Sequence, residues 1–307
     1  MIKSETTGLL LSMVCAIIWG ASYPISAILA GKIDPIVFSI ARYGLAAAGL
    51  AIIFLLQKKK SWLQIRDIPS MAIAGILGQA VLFYTTLLAL EYISAAEVGV
   101  INGMISILTV LICIPIYRTM PTVTQIIAVI ISFFGAFCIA FDPSNKFTGI
   151  NLGHLYAILG VLSIIASGFI NKKFAERYDG ISSMFYQFMF ATAALVIVMV
   201  VQGRDITQMS IIFDNGYYLS SVLILGFVCS AIAYVIYFQA LKLTGVQRAN
   251  MAQNVLPLSA FTLAIFMVDE QITTQKVIGI ALVVSSLFLF DMKWDTIKVR
   301  LTKLSIR

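Results

Sequence analysis

Long apolar segments alternate with short polar links along the whole chain. Each segment is about 20 residues long, which as a helix is enough to cross a hydrocarbon core of roughly 30 Å. Most links are short and carry the Gly, Pro, Asn and Asp that turns favour. The pattern therefore predicts an all-α membrane protein with ten transmembrane helices. The predicted spans are Gly8–Ala30, Pro35–Gln57, Ile68–Leu90, Ala95–Tyr117, Thr122–Phe141, Leu152–Lys172, Ile181–Gln202, Tyr217–Leu241, Ala249–Val268 and Thr274–Met292.

The two halves of the chain resemble one another. Matching residues recur at an offset of 145 positions: Gly8 and Gly153, Ser22 and Ser167, Asp34 and Asp179, Arg42 and Gln187. Further along the offset becomes 151, which places Ala89-Leu90-Glu91 on Ala240-Leu241-Lys242. Because five spans is an odd number, the second half must enter the membrane upside down relative to the first. We therefore predict two inverted five-helix repeats, residues 1–145 and residues 146–307, the second ending in a basic tail. Such repeats are common in transporters, with the substrate site between them.

Composition agrees with a polytopic membrane protein. The chain is 60% hydrophobic and 11% charged, with a mean hydropathy of +0.98, which is far from a soluble domain. The four cysteines lie inside apolar segments and form no CxxC pair, which is typical of small core residues. A single histidine, His154, cannot build a zinc site by itself. We expect no metal and no cofactor.

The basic residues are distributed unevenly between the two sides. Sixteen Lys and Arg residues fall on links that share a side with the N-terminus, and four fall on the other side: Lys32, Lys146, Arg204 and Lys276. The positive-inside rule then places both termini in the cytoplasm. The net charge of +7 is thus explained by topology, and we expect no nucleic-acid partner.

Several motifs resemble the EamA-type, ten-helix members of the drug/metabolite transporter superfamily. They are Trp19-Gly20-Ala21-Ser22, Asp34-Pro35 followed by Arg42, Ala89–Ala96, Ala240–Gly245, and Glu270-Gln271-Ile272-Thr273 followed by Gln275 and Gly279. The first half departs from the pattern where Arg118-Thr119-Met120 carries no acid equivalent to Glu270. The resemblance implies export or exchange of small metabolites, often amino acids, through a cavity between two five-helix bundles. With it we expect a bacterial cytoplasmic membrane, surrounding lipid, a small-molecule substrate, and a monomer or homodimer.

A polar stripe marks the ninth predicted span. Asn250, Gln253, Asn254 and Pro257 share one helix face, and 151 positions earlier Gly99, Asn102, Gly103 and Ser106 repeat the spacing. One interpretation is that the two stripes form the walls of a central site, with Pro257 freeing the carbonyl of Gln253. The alternative is that the amides join neighbouring helices.

Two charges lie inside predicted spans. Arg42 is about two turns, near 10 Å, into the second span, and Glu97 is two residues into the fourth. A buried charge marks either a functional site or a paired structural charge. Arg42 and Glu97 therefore form either a structural ion pair, or an anchor for a substrate carboxylate with Glu97 as its titrating or counter-charge group.

The remaining candidates are polar or aromatic residues deep in spans. Gln79 lies with Gly75 and Gly78 on one face of the third span, where close packing and substrate contact are equally compatible with the pattern. Buried Trp and Tyr need a hydrogen-bond partner, which a cavity can supply. His154 and the aspartates at span ends are typical of caps and turns. The predicted substrate-binding set is Trp19, Arg42, Gln79, Tyr84, Asn102, Gln187, Tyr234, Gln253 and Asn254.

These observations favour a secondary transporter of small organic metabolites and no enzymatic activity. The sequence has no GxxxxGK[ST] motif, so nothing in it supports nucleotide hydrolysis. One alternative is a cation or multidrug exporter organised around Glu97, although Arg42 argues against cations. An intramembrane enzyme would need an HExxH pair, paired deep carboxylates or a Ser-His arrangement. A non-transporting scaffold would not explain two symmetric internal polar stripes.

Overall fold

A computed structural model describes residues 2–27, 29, 31–58, 60–93, 95–118, 120–140, 150–256, 258–259, 262 and 273–290. Within these ranges the chain is helical and contains no strand. Two short helices, Ile206–Met209 and Ser210–Asp214, lie in the longest link. The other helical elements are α1 (Ile2–Ala27), α2 (Pro35–Leu56), α3 (Ile65–Leu90), α4 (Ala95–Tyr117), α5 (Val123–Ala140), α6 (Leu152–Phe174), α7 (Gly180–Val201), α8 (Gly216–Val255) and α9 (Thr274–Phe290).

The helix starts are set by the predicted capping residues. Asp34 caps α2 by accepting from the Ile36 N–H at 2.9 Å, and Pro35 follows at the first helical position. Asp179 caps α7 by accepting from the Ser182 N–H at 3.0 Å. Asn151 and His154 form a capping box at the start of α6. The capping roles predicted for Asp34, Asp179 and His154 are confirmed, whereas Asp142 and Asp291 lie outside the described residues.

Two helices contain π-helical stretches at equivalent positions of the two halves. The stretch in α3 is Ile76–Val81, and the stretch in α8 is Ile224–Ile232. A π-helix shifts backbone hydrogen bonding by one residue and leaves local carbonyls free for other donors. The third and eighth predicted spans are therefore π-helical, and not α-helical, over these stretches.

The boundary between the eighth and ninth predicted spans is a kink within α8. The sequence predicted a link between Leu241 and Ala249, and the dihedrals of Gly245 (φ 81°, ψ 169°) divide α8 into two helical segments inside that link. Glycine has no Cβ and tolerates this positive φ. The polar stripe of the ninth span thus follows the eighth after a one-residue break. Most of that span beyond Leu256, including Pro257, lies outside the described residues.

The apolar surface is that of a multi-pass membrane protein. In the described part of the chain, six helices are long and apolar enough to cross a bilayer, and three shorter apolar helices accompany them. Large apolar side chains on their outer faces are open to the surroundings, including Leu56 at 78% and Val201 at 80% exposure. Such faces are suited to lipid contact.

The helices pack in pairs across the two halves. The most extensive pairs are α1 with the Ala233–Ala252 part of α8, α6 with the Leu82–Leu90 part of α3, α2 with α7, and α5 with α9. The largest core cluster contains buried aromatic residues of α2, α7 and α8, including Phe38, Tyr43, Phe188 and Phe238. Glycines allow the closest crossings. A Cβ on Gly75 would lie 2.8 Å from Gln187 Cα, and one on Gly226 would lie 3.0 Å from the Arg42 carbonyl oxygen.

Candidate functional site

Arg42 lies in the core with only 4% of its surface exposed. Its Nε donates to the Ser230 hydroxyl at 2.8 Å, and Ser230 belongs to the π-helical stretch of α8. Its guanidinium carbon lies 4.5 Å from the centre of the Phe83 ring and 5.6 Å from that of Tyr43. No carboxylate of the described residues lies within 4.0 Å of the guanidinium. The group is thus a buried cation held by a neutral hydroxyl and aromatic faces.

Five aromatic side chains form a continuous group that begins beside this cation, and we call this group the aromatic cluster: Trp19, Tyr43, Phe83, Phe188 and Tyr234. Tyr43 lies 5.7 Å from Phe83 and 5.4 Å from Phe188, measured between ring centres. Tyr234 lies 5.4 Å from Phe188 and 4.8 Å from Trp19. The structure therefore brings three predicted site residues, Trp19, Arg42 and Tyr234, into one continuous group.

The polar atoms of the deep aromatic residues bind carbonyls of the π-helical stretches. Trp19 Nε1 donates to the Cys229 carbonyl at 2.9 Å, and the Tyr234 hydroxyl donates to the Gly78 carbonyl at 3.2 Å. Gly78 and Cys229 are equivalent positions, 151 residues apart. The π geometry supplies the acceptors that a buried Trp and Tyr need.

A second polar group lies where α3, α6 and α7 meet. Gln187 is fully buried, and its Nε2 donates to Asn171 Oδ1 at 2.7 Å and to Ser183 Oγ at 3.3 Å. Gln79 is also fully buried, and neither of its side-chain polar atoms finds a hydrogen-bond partner among the described residues. Tyr84 is half-buried against the main core. The role of Gln79, Gln187 and Tyr84 in binding substrate stays a prediction.

The polar stripe of the ninth span forms a third group, which we call the amide cluster: Ser12, Ser106, Asn250, Gln253 and Asn254. Ser106 Oγ donates to Asn254 Oδ1 at 2.8 Å, and Gln253 Nε2 donates to Ser12 Oγ at 3.1 Å. All five are buried. These bonds join α8 to α1 and α4, which is the geometry of helix-joining amides.

Two side-chain contacts of Tyr237 connect the amide cluster to the rest of the site. The Tyr237 hydroxyl donates to Asn250 Oδ1, and the Tyr237 ring lies 5.2 Å from that of Trp19. The amide cluster is therefore continuous with the aromatic cluster. Asn102 is half-buried on α4. Substrate contact by Asn102, Gln253 and Asn254 stays a prediction.

Two cavities lie beside these groups, and Arg42 lines neither. The smaller, of about 10 Å³, can hold one water molecule and has Ser167, Asn171, Tyr234 and Tyr237 in its wall. The larger, of about 350 Å³, opens to the surface and has Gln57, Asp179 and Gln239 among its lining residues. Arg42 itself is almost completely buried.

Asp179, in the wall of the larger cavity, has a perturbed pKa. Burial raises the pKa of its carboxyl, but hydrogen bonds from Ser182, Ser61 and Gln57 favour the anion and outweigh burial. The pKa of Asp179 is therefore below its ordinary value, and the carboxylate is charged at neutral pH. The residue ties the start of α7 to the end of α2.

The predicted pairing of Glu97 with Arg42 cannot be located in this geometry. The side chain of Glu97 lies outside the described residues, so its pairing with Arg42 stays a prediction. The described residues also contain no group of three or more His, Cys, Asp or Glu that could hold a metal.

Sequence reasoning missed several residues of the site, namely Tyr43, Phe83, Asn171 and Ser230. Ser230 could have been found, because the offset of 151 that relates the two halves places it opposite Gln79. The others are unremarkable members of apolar segments in the sequence.

Comparison with known proteins gives consistent matches over most of the chain. The profile described as "EamA-like transporter family" matches twice, at residues 6–141 and 151–291. An uncharacterized transporter of Clostridium kluyveri is 27% identical over 74% of this chain and 73% of its own length. The uncharacterized transporter YyaM of Bacillus subtilis is 24% identical over 88% of both chains. One solved crystal structure is 15% identical to this chain and has a TM-score of 0.77, and the match covers 93% of this chain and 96% of that one. This likeness shows a shared fold.

Proposed function

Because the chain belongs to the EamA-like transporter family, we propose that it is a secondary transporter of small organic metabolites such as amino acids. It exports or exchanges them across the cytoplasmic membrane of a bacterium by alternating access at a site between two five-helix halves. The ten-helix, inverted-repeat architecture and the cytoplasmic location of both termini are parts of the same proposal.

The observation that carries the proposal is a reciprocal contact between the two halves. A Cβ on Gly8 would lie 2.8 Å from Leu243 Cβ, and a Cβ on Gly153 would lie 2.8 Å from Tyr92 Cβ. Gly8 and Gly153 are equivalent at the offset of 145, and Tyr92 and Leu243 at the offset of 151. Each half therefore uses the same positions to contact the other, as expected for two copies related by a twofold axis.

The capping aspartates support the same relation. Asp34 begins α2 and accepts from Arg204, beyond the end of α7, at 3.1 Å. Its equivalent Asp179 begins α7 and lines the same cavity as Gln57 at the end of α2, and Gln57 and Ser61 lower the pKa of its carboxyl. Equivalent residues of α2 and α7 thus meet at both ends of this helix pair, which supports a twofold relation between the two halves.

The alternative of a cation exporter finds less support. A transported cation needs an anionic or electron-rich site in the hydrocarbon core. The buried charged residues that the structure describes are the cation Arg42 and Asp67, which lies in the first turn of α3 and is paired with Arg177 at 3.0 Å. A metabolite carrier therefore fits the described part of the core better.

Solute counterflow tests the proposal. The purified chain would be reconstituted into liposomes loaded with unlabelled amino acids and organic acids, and uptake of the matching labelled compound would be followed. We expect transient accumulation for at least one compound, absent from protein-free liposomes and from liposomes without internal solute. Failure of every compound to accumulate with a folded, monodisperse protein would contradict the proposal.

A further inference from the structure

Among the described residues, none accepts a hydrogen bond from the two terminal nitrogens of Arg42 in the core. We propose that the substrates of this transporter carry a single carboxylate, and that the carboxylate binds the two terminal nitrogens, Nη1 and Nη2, of Arg42. The inference rests on the proposed function, since it names the chemical class that the same site accepts.

The burial of Arg42 is the first step of the argument. A cation removed from water is costly unless an opposite charge compensates it. Ser230 contributes one neutral acceptor, and the Phe83 and Tyr43 rings contribute the weaker attraction of aromatic faces. No carboxylate of the described residues compensates the charge. An anionic ligand would therefore be stabilised here more strongly than a neutral one.

The orientation of the guanidinium is the second step. Nε is occupied by Ser230, and Phe83 lies over one face. The described residues accept no hydrogen bond from Nη1 or Nη2, so this edge presents two parallel donors. A carboxylate matches that pair with two oxygens, which is the geometry that distinguishes arginine from lysine.

The single charge of Arg42 and the aromatic side chains beside it define the chemical class of the ligand further. One guanidinium neutralises one negative charge, so a dianion such as a phosphate monoester would leave a charge uncompensated in the core. The aromatic cluster provides an apolar wall from Arg42 through Tyr43 and Phe188 to Tyr234 and Trp19. A monocarboxylate with an apolar or aromatic body satisfies both features.

Matched ligand series test the inference by thermal unfolding of the purified protein. The probes are 3-phenylpropionate, its primary amide and 3-phenylpropylamine, and hexanoate with hexanamide and hexylamine, each up to about 10 mM. A ligand that binds the folded state raises the melting temperature. We expect saturable increases with the carboxylates and none with the amides or amines.

Variants identify the group responsible. Arg42→Gln should weaken carboxylate binding about 10- to 100-fold, because charged hydrogen bonds are lost. Arg42→Lys keeps the charge but not the paired donors and should give an intermediate loss. Ser230→Ala keeps the charge of Arg42 but removes the acceptor of its Nε, and it should weaken carboxylate binding by less than tenfold. This variant provides the test if Arg42→Gln does not fold. Arg66→Gln, which removes an exposed charge, should bind carboxylates as the unmodified chain does.

Several outcomes would overturn the inference. They are equal shifts with acids and amides, unchanged carboxylate binding in Arg42→Gln, or no shift with any carboxylate. Carboxylate binding that appears only in Glu97→Gln would show that Glu97 occupies the guanidinium edge. Counterflow separates the two proposals. Transport restricted to neutral or cationic metabolites leaves the transporter proposal standing and removes this one. Carboxylate binding without any transport contradicts the transporter proposal and leaves Arg42 as a carboxylate-binding site only.

Discussion

At the scale of single residues, the closest helix crossings depend on glycines, because glycine has no side chain to separate the two backbones. Gly75 of α3 sits against the backbone of Gln187, and Gly226 of α8 sits against the backbone of Arg42. Gly75 and Gly226 are equivalent positions, as are Arg42 and Gln187. The predicted close-packing interpretation of Gly75 thus agrees with the geometry, and the contact positions Arg42 as well as permitting the crossing.

A glycine substitution tests this packing. Gly75→Ala would place a Cβ 2.8 Å from Gln187 Cα. The backbone of Gln187 cannot move away from this Cβ as a flexible side chain could. We expect a loss of about 1–3 kcal/mol in unfolding free energy, seen as a lower melting temperature in detergent. Gly44→Ala is the matched control, because its Cβ would lie 3.8 Å from Thr192 Cγ2. Equal effects of the two substitutions would contradict the packing role.

The amide cluster gives a second residue-scale test. Ser106→Ala and Asn254→Leu each remove one partner of the 2.8 Å bond. If this bond joins the helices, the double variant should lose less stability than the sum of the two single variants. The difference should be about 0.6 kcal/mol, as is typical of polar pairs between membrane helices. Ligand affinity per folded molecule should stay constant. Additive stability losses with abolished binding would instead support the cavity interpretation of this stripe.

At the scale of helices, apolar length and capping signals were sufficient for most boundaries. The α4 span coincides with its prediction, α2 differs from its prediction by one residue at its end, and α7 differs by one residue at each end. The π-helical stretches could not be found in this way, because each contains a single polar side chain, Gln79 or Ser230, and one polar position does not mark a changed periodicity. The break at Gly245 lies inside the link predicted between Leu241 and Ala249, but the hydropathy pattern did not show that it is confined to one residue.

The cap of α7 makes a pH-dependent prediction. Because the pKa of Asp179 is lowered on folding, its contribution to stability is complete above the unfolded pKa of about 4 and is lost as the pH falls through the lower folded value. Asn also caps helices, so Asp179→Asn removes mainly the charge. The difference in melting temperature between the two proteins should be largest near neutral pH and should shrink below about pH 4. A difference independent of pH would show that the charge contributes nothing.

At the scale of the whole molecule, the sequence predicted the membrane class and the family, but only part of the candidate site. Arg42, Trp19 and Tyr234 were identified because charged and amphipathic residues stand out in apolar spans. Their neighbours Phe83 and Tyr43 become visible only when α2, α3 and α8 are packed together. The amide stripe was identified as a helix face, but its partners on α1 and α4 come from tertiary structure.

The opposite orientation of the two halves is tested most directly by cysteine accessibility in intact cells. Single cysteines would replace Lys32, Lys58, Glu176 and Gly216, all exposed, in a chain without its four native cysteines. With cytoplasmic termini and inverted halves, a membrane-impermeant maleimide should label positions 32 and 216 from outside. Positions 58 and 176 should react only after permeabilisation. Position 176 is one residue from Arg177, the equivalent of Lys32. External labelling of both 32 and 176 would place equivalent links on one side of the membrane and contradict the inverted arrangement.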